Sequence, residues 1–88
     1  TIAANLTGLA ADLAAAFTGI TTHTGTLTLT AGAAAATLAQ LVTINAATTG
    51  VITLNANTIA ANYTGLAADI AAAFTGITTH TGTLTLTV

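Results

Sequence analysis

Apolar and polar residues alternate with a period of two in three short stretches, residues 26–30 (TLTLT), 51–55 (VITLN) and 83–87 (TLTLT). That period predicts β-strands. Leu27 and Leu29, Ile52 and Leu54, and Leu84 and Leu86 fall on one face, the apolar one. The other face carries Thr26, Thr28 and Thr30, then Val51, Thr53 and Asn55, then Thr83, Thr85 and Thr87. β-branched threonine suits an exposed pleated surface.

Between these stretches the apolar period changes. Leu9, Leu13, Phe17 and Ile20, and again Leu66, Ile70, Phe74 and Ile77, stand at i, i+4, i+8 and i+11. This spacing makes one stripe on a helix. Leu38, Leu41, Val42 and Ile44 form a third such stripe. Thr7 and Thr64 precede Gly-Leu-Ala-Ala-Asp and are read as N-caps, with Asp12 and Asp69 in early turns where the helix dipole favours an anion. Gly19 and Gly76 suit the C-terminal stop. Alanine, the best helix former, fills the remaining positions and lets helices approach closely.

The pattern repeats. Residues 1–30 recur as 58–87, and the 30 aligned pairs differ only at Leu6/Tyr63 and Leu13/Ile70. The 57-residue period marks a stacked array. Residues 1–88 are read as a single repeat array, with repeat 1 at 1–57 (coils 1–30 and 31–57) and a partial repeat 2 at 58–88. Aligning Gly25, Gly50 and Gly82 spaces the coils by 25 and 32 residues. The chain begins at a repeat boundary and stops inside the next repeat, so a longer parent array is expected.

Strands recurring once per coil imply parallel pairing through right-handed crossovers. The expected fold is an α/β repeat solenoid with one short parallel strand and one short helix per coil. Helices should cover the leucine face and leave the threonine face open, with an apolar face at each end of the stack. An all-β solenoid is the alternative, because Thr-Leu-Thr-Leu-Thr-Val has strong β propensity and nothing to block pairing.

Composition limits the chemistry. The chain has no Lys, Arg, Cys, Pro, Met, Trp or Ser, and its net charge is −2. Little electrostatic repulsion keeps copies apart, so self-association is expected. Without basic residues the chain has no means of neutralising phosphate, which excludes nucleic-acid binding and a polybasic membrane contact. The mean hydropathy of +0.89 comes from Ala, Leu and Ile interleaved with Thr. Its best apolar run, Leu66 to Phe74, is far short of the ~20 residues of a membrane span and carries Asp69. There is no signal-peptide pattern in this stretch.

No cofactor or metal is expected. His23 and His80 share one repeat position, as do Asp12 and Asp69, and two coils of strand spacing hold each pair roughly 10 Å apart. Joint zinc ligation needs approaches of ~2.0 Å. Turn histidines bonding local backbone and aspartates serving the helix dipole are the readings adopted. The calcium nonapeptide Gly-Gly-x-Gly-x-Asp does not occur. Thr1 would be a nucleophile only as a mature N-terminus, and its copy Thr58 lies mid-chain, so it is read as a repeat boundary. The chain is not expected to be an enzyme.

Two sequons, Asn5-Leu6-Thr7 and Asn62-Tyr63-Thr64, make Asn5 and Asn62 candidate N-glycosylation acceptors, and glycans candidate partners. With 23 threonines in the chain the pattern also arises readily by chance, and asparagine bonding to turn backbone is the competing reading.

Two resemblances complete the reading. Thr-x-Thr rows on a flat parallel sheet resemble the ice-binding face of insect antifreeze solenoids, although Val51 and Asn55 interrupt the columns. Over a longer stretch, ATLAQLVTINAATTGVITL (Ala36 to Leu54) and TGLAADIAAAF (Thr64 to Phe74) resemble the Ala/Thr/Gly-rich repeats of very long bacterial, notably cyanobacterial, surface proteins. That resemblance implies an extracellular structural or adhesive role with no catalytic residues to carry over. Scarcity of acidic residues departs from many such proteins and removes calcium stiffening from the expectation. The expected function is therefore a non-enzymatic extracellular structural repeat protein that forms a fibre, stalk or sheath. The alternative is an adhesin or ice-binding solenoid using Thr26, Thr28, Thr30, Thr53, Asn55, Thr83, Thr85 and Thr87.

Overall fold

A computed structural model describes residues 3–87; Thr1, the repeat-boundary residue of the sequence reading, lies outside the described residues. In chain order the elements are β1 (Leu6–Gly8), α1 (Ala10–Phe17), β2 (Leu27–Leu29), α2 (Leu38–Ala47) and β3 (Ile52–Thr53). They continue with α3 (Ala56–Ala60), β4 (Tyr63–Leu66), α4 (Ala67–Phe74) and β5 (Leu84–Thr87). Helices and strands are mixed, the sheets are small and parallel, and neither sheet closes on itself. The helices set aside the all-β alternative: runs of alanine with leucine every third or fourth residue hold an α-helix against the β propensity of the flanking threonines.

Several local expectations hold. Leu13 and Phe17 on α1, Leu41 and Ile44 on α2 and Ile70 on α4 are buried, as the stripes predict, but Leu9 and Leu66, which open two of the stripes, precede the helices and are exposed. Asp12 and Asp69 lie in first helical turns. Gly19 and Gly76, at φ +78° and +76°, end α1 and α4 in the left-handed region. The expected caps are a correction. Leu9 and Leu66 hold the N-cap positions of α1 and α4, without side-chain cap bonds. Thr7 and Thr64 sit two residues earlier, inside β1 and β4, because Leu-Thr-Gly and Tyr-Thr-Gly pair with a neighbouring strand before the helix starts. Among the described residues a full capping box belongs to α2 alone: Gln40 N–H donates to Thr37 Oγ1 at 3.2 Å and Thr37 N–H donates to Gln40 Oε1 at 2.9 Å.

β1, β2 and β3 form one parallel sheet in the register Leu6–Leu27–Ile52, and β4 and β5 form another in the register Tyr63–Leu84. The 25-residue step from Gly25 to Gly50 is therefore a real strand-to-strand step. A Cβ on Gly50 would come within 2.1 Å of the Gly25 carbonyl oxygen, so only glycine lets these two turns stack. The 32-residue step from Gly50 to Gly82 is not a pairing. Gly82 instead packs on Ala61 as Gly25 packs on Ala4, 21 residues earlier in each copy. β3 and β4 share no ladder, because only eleven residues lead from Ile52 to Tyr63 and the short helix α3 occupies five of them.

One cluster unites the core: Leu13 and Phe17, Leu27 and Leu29, Leu41 and Ile44, Leu54, Tyr63, Ile70 and Ala73. Helices thus cover the leucine face of the strands, with α2 packed against α1 and α4. Complete burial of Leu27 or Ile44 contributes roughly 1.5–3 kcal/mol each. Leu84 and Leu86 depart from the expected pattern. They are 40% and 57% exposed because β5 pairs with β4 and touches α4 but, among the described residues, has no strand on its other edge, where β2 has β3.

Candidate functional site

The threonine face is the surface on which the sequence reading placed binding. Parallel register aligns Thr28 with Thr53 and adds Thr7 on the outer strand, giving the row Thr7–Thr28–Thr53 across three strands. Thr85 pairs in the same way with Thr64. Thr7 and Thr64 were missed as face residues because their position before a helix reads as a cap. Thr26, Thr28 and Thr30 are half-buried, whereas Thr53, Thr83, Thr85 and Thr87 are exposed. Asn55 is not on the open surface. It is 5% exposed, its Nδ2 donates to the Ala33 carbonyl at 2.7 Å and its Oδ1 accepts from the Thr58 hydroxyl, which ties the 31–36 loop to α3. The two sheets carry separate threonine rows, since no ladder joins β3 to β4. The chemistry on offer is uncharged hydroxyl, spaced across strands by ~4.8 Å.

His23 forms the best-connected polar node, and it lies inside. Nε2 is 2.7 Å from the Ala4 carbonyl, so that nitrogen carries a hydrogen; Nδ1 is 2.9 Å from Thr48 Oγ1. The Thr48 oxygen also lies 2.8 Å from the Gly25 carbonyl and accepts from the Gly50 N–H at 3.0 Å. In the neutral ring the single Thr48 hydroxyl hydrogen is shared between Nδ1 and the Gly25 carbonyl. Backbone bonds run alongside: His23 N–H donates to Ala47 and Thr49 N–H donates to His23, both at 3.0 Å. The ring of Phe17 closes the site at 4.9 Å between centroids. With both ring nitrogens engaged, His23 joins three successive turns of chain rather than presenting a ligand atom.

His80 repeats part of this arrangement. Its Nε2 lies 2.8 Å from the Ala61 carbonyl and its ring packs against Phe74 at 4.7 Å, but the side chain is only half-buried. Among the described residues no three histidine or acidic side chains come together to hold a metal ion. Asp12 and Asp69 remain exposed in their separate helical turns.

Asn5 and Asn62, the sequon residues, are exposed. Asn5 Oδ1 accepts from the Thr26 N–H at 2.9 Å and Asn62 Oδ1 from the Thr83 N–H at 2.8 Å. Each asparagine thus bonds the backbone of the following strand, the competing reading given above. A glycan would have to be accommodated on the nitrogen of an amide whose oxygen is already held.

Tyr63 fills the same repeat position as Leu6 but is buried, and its hydroxyl donates to the Ala36 carbonyl at 2.6 Å. Burial pushes the phenol above its ordinary pKa. Two grooves hold about 480 Å³, beside Leu38, Val42 and Asp69, and about 430 Å³, between the end of α2 and residues 75–77. Asp69 is the sole ionisable side chain in either lining. No helix of the described residues is long and apolar enough to cross a membrane. No family model, curated protein or solved structure matches this chain.

Proposed function

We propose that this chain is a non-enzymatic structural repeat protein of the cell exterior, whose α/β coils stack as a solenoid and build a fibre, stalk or sheath by self-association. One observation carries this reading: the same repeat residues are buried where a further unit covers them and open where none does, as Leu27 at 0% and Leu84 at 40% exposure illustrate. Each unit is thereby incomplete without a neighbour, the defining property of a stacked array. The glycine-on-glycine contact of residues 25 and 50, the ladder bonds and the near absence of charge favour indefinite addition of like units. The resemblance to long bacterial surface repeats supports placement outside the cell. Absence of Lys and Arg, which leaves trypsin-like proteases nothing to cut, suits an outer layer.

Electron microscopy and fibre diffraction of purified protein at neutral pH test this. Uniform filaments with an ordered spacing of ~4.8 Å between stacked strands are expected. A monodisperse monomer that binds a ligand and never assembles would overturn it.

A second reading rests on the row Thr7–Thr28–Thr53. Hydroxyls at regular strand spacing on an uncharged surface suit an adhesin, or ice as a special case. Thermal hysteresis in concentrated solution is the measurement, and its absence removes the ice-binding case.

A further inference from the structure

The chain contains a worked example of how one of its own open faces is covered. Residues 58–87 repeat residues 1–30 at 28 of 30 positions. In the first copy the middle unit, residues 31–57, lies against α1 and β2. Among the described residues the second copy has no such neighbour on the corresponding side, so its surface shows what the middle unit covers in the first.

Three sets of residues mark it. On the strand, Leu27 and Leu29 are 0% and 3% exposed, against 40% and 57% for Leu84 and Leu86. On the helix, Ala10 is buried and Ala14 half-buried in α1, whereas their copies Ala67 and Ala71 on α4 are exposed. In the turn, His23 is fully buried against Thr48, and His80 is half-exposed.

The opposite flank of the helix behaves in the opposite way. Ala73 is 0% exposed in α4, where the side chain of Asn45 on α2 reaches its carbonyl at 3.0 Å, and its copy Ala16 in α1 is open. Ala16 lies about 200° around the helix from Ala14, at ~100° per residue. The repeat helix therefore has two contact flanks. α1 uses one of them on α2 and α4 uses the other, so α4 keeps free the flank that α1 uses.

We propose that the outer face of α4 and β5 is a docking site for a partner segment with the chemistry of residues 31–57. This rests on the fibre reading and names the contact that would extend it. The occupant is uncharged. It offers an amphipathic helix of the α2 type, a Thr-Thr-Gly turn and a strand of the β3 type. Copy one supplies the bonds: a Thr48-type hydroxyl between the His80 ring and the Gly82 carbonyl, backbone exchange with His80, and a Val51-type carbonyl accepting from the Leu84 N–H. A Gly50-type glycine is required above Gly82, because a Cβ there meets the turn carbonyl at 2.1 Å in the first copy.

The test adds a synthetic peptide of residues 31–57 to the full chain and follows it by NMR. Saturable shifts at His80, Leu84 and Leu86, with amide protection, are expected, and the Gly50→Ala peptide should bind at least about tenfold more weakly. No saturable shift at these residues, or equal binding by the Gly50→Ala peptide, overturns the proposal. Should the peptide aggregate, appending residues 32–57 after Val88, which stands at the repeat position of Ala31, supplies the same segment; exchange at Leu84 and Leu86 must then fall to the level of Leu27 and Leu29, and unchanged exchange overturns it. Concentration-dependent shifts that pair β5 with β1 of another molecule also overturn it, since the face then takes a first unit instead. Filaments that form while the peptide neither binds nor competes sink the docking site and spare the fibre reading. Peptide binding without filaments does the reverse.

Discussion

Leu27 and Leu84 occupy the same position of two almost identical segments, and one is fully buried while the other is 40% exposed. His23 and His80, Ala10 and Ala67, and Ala16 and Ala73 diverge in the same way, some favouring the first copy and some the second. Local sequence decides that these residues form a helix or a strand. Which of them count as core is decided by the unit packed alongside. The copies differ because α2 meets opposite flanks of the same helix, so the two copies together display both contact surfaces of one building block.

The harshest way to break the comparison is Gly50→Ala. A methyl group there has to displace the Gly25 backbone oxygen, which lies at 2.1 Å and cannot rotate away. A loss of about 3 kcal/mol or more is expected by denaturant unfolding. The first copy should then come to resemble the second, with Leu27 and Leu29 amides exchanging as fast as those of Leu84 and Leu86. Retention of slow exchange at Leu27 would show that the glycine contact does not seat the middle unit.

Truncating the leucines sharpens it. Leu27→Ala opens a cavity in a packed site and should cost about 2–5 kcal/mol. Leu84→Ala removes a side chain that water already reaches, and should cost less than about 1 kcal/mol. Equal losses in thermal unfolding would mean that β5 is covered in solution, which is what a self-associated chain at high concentration should show.

How much of this was legible in the residues can be judged from the same elements. The leucine–threonine alternation located β2, β3 and β5, and the i, i+4 stripes located α1, α2 and α4. Gly19 and Gly76 marked their stops, and Gly25 over Gly50 gave the one true 25-residue step. β1 and β4 were hidden because Leu-Thr-Gly and Tyr-Thr-Gly are too short to show a period, and a threonine before a helix reads as its cap. The capping box of Thr37 and Gln40 was readable from Thr-x-x-Gln but stood apart from the repeated segments. Asn55 was misplaced on the open face because alternation was carried past the end of β3, where the chain turns into α3 and the amide is drawn inward to Ala33. Exposure of Leu84 and Leu86 was legible only as the apolar face expected at an end of the stack, since it depends on a neighbour and not on the strand.

The histidines give a smaller effect with the same logic. His23→Phe keeps a ring against Phe17 and leaves the Ala4 carbonyl without its ring donor, a cost of about 1–3 kcal/mol. His80→Phe removes the bond to Ala61 at a half-exposed site and should cost under about 1 kcal/mol. Similar losses from the two would mean that the Thr48 side of His23 adds nothing.

The mildest test uses the position at which the copies themselves differ. Tyr63 bonds back to Ala36 in the preceding middle unit, a contact that the leucine in the first copy cannot make, so Tyr63→Leu writes the first copy into the second. Below the ordinary tyrosine value of 10.0 the phenol is neutral in both folded and unfolded chains, and the bond contributes about 1 kcal/mol. Burial raises the folded value, so the unfolded chain loses its proton first and stability is lost as pH climbs from the unfolded value through the raised one. Denaturant midpoints across alkaline pH should therefore fall for the native chain, and this tyrosine-specific fall should be missing in Tyr63→Leu. Because the chain has one tyrosine, its absorbance titration reads this site alone. A folded chain that titrates at or below the ordinary value, or an identical alkaline fall in Tyr63→Leu, would mean that Tyr63 is not held against the middle unit, and that the two copies differ there without consequence.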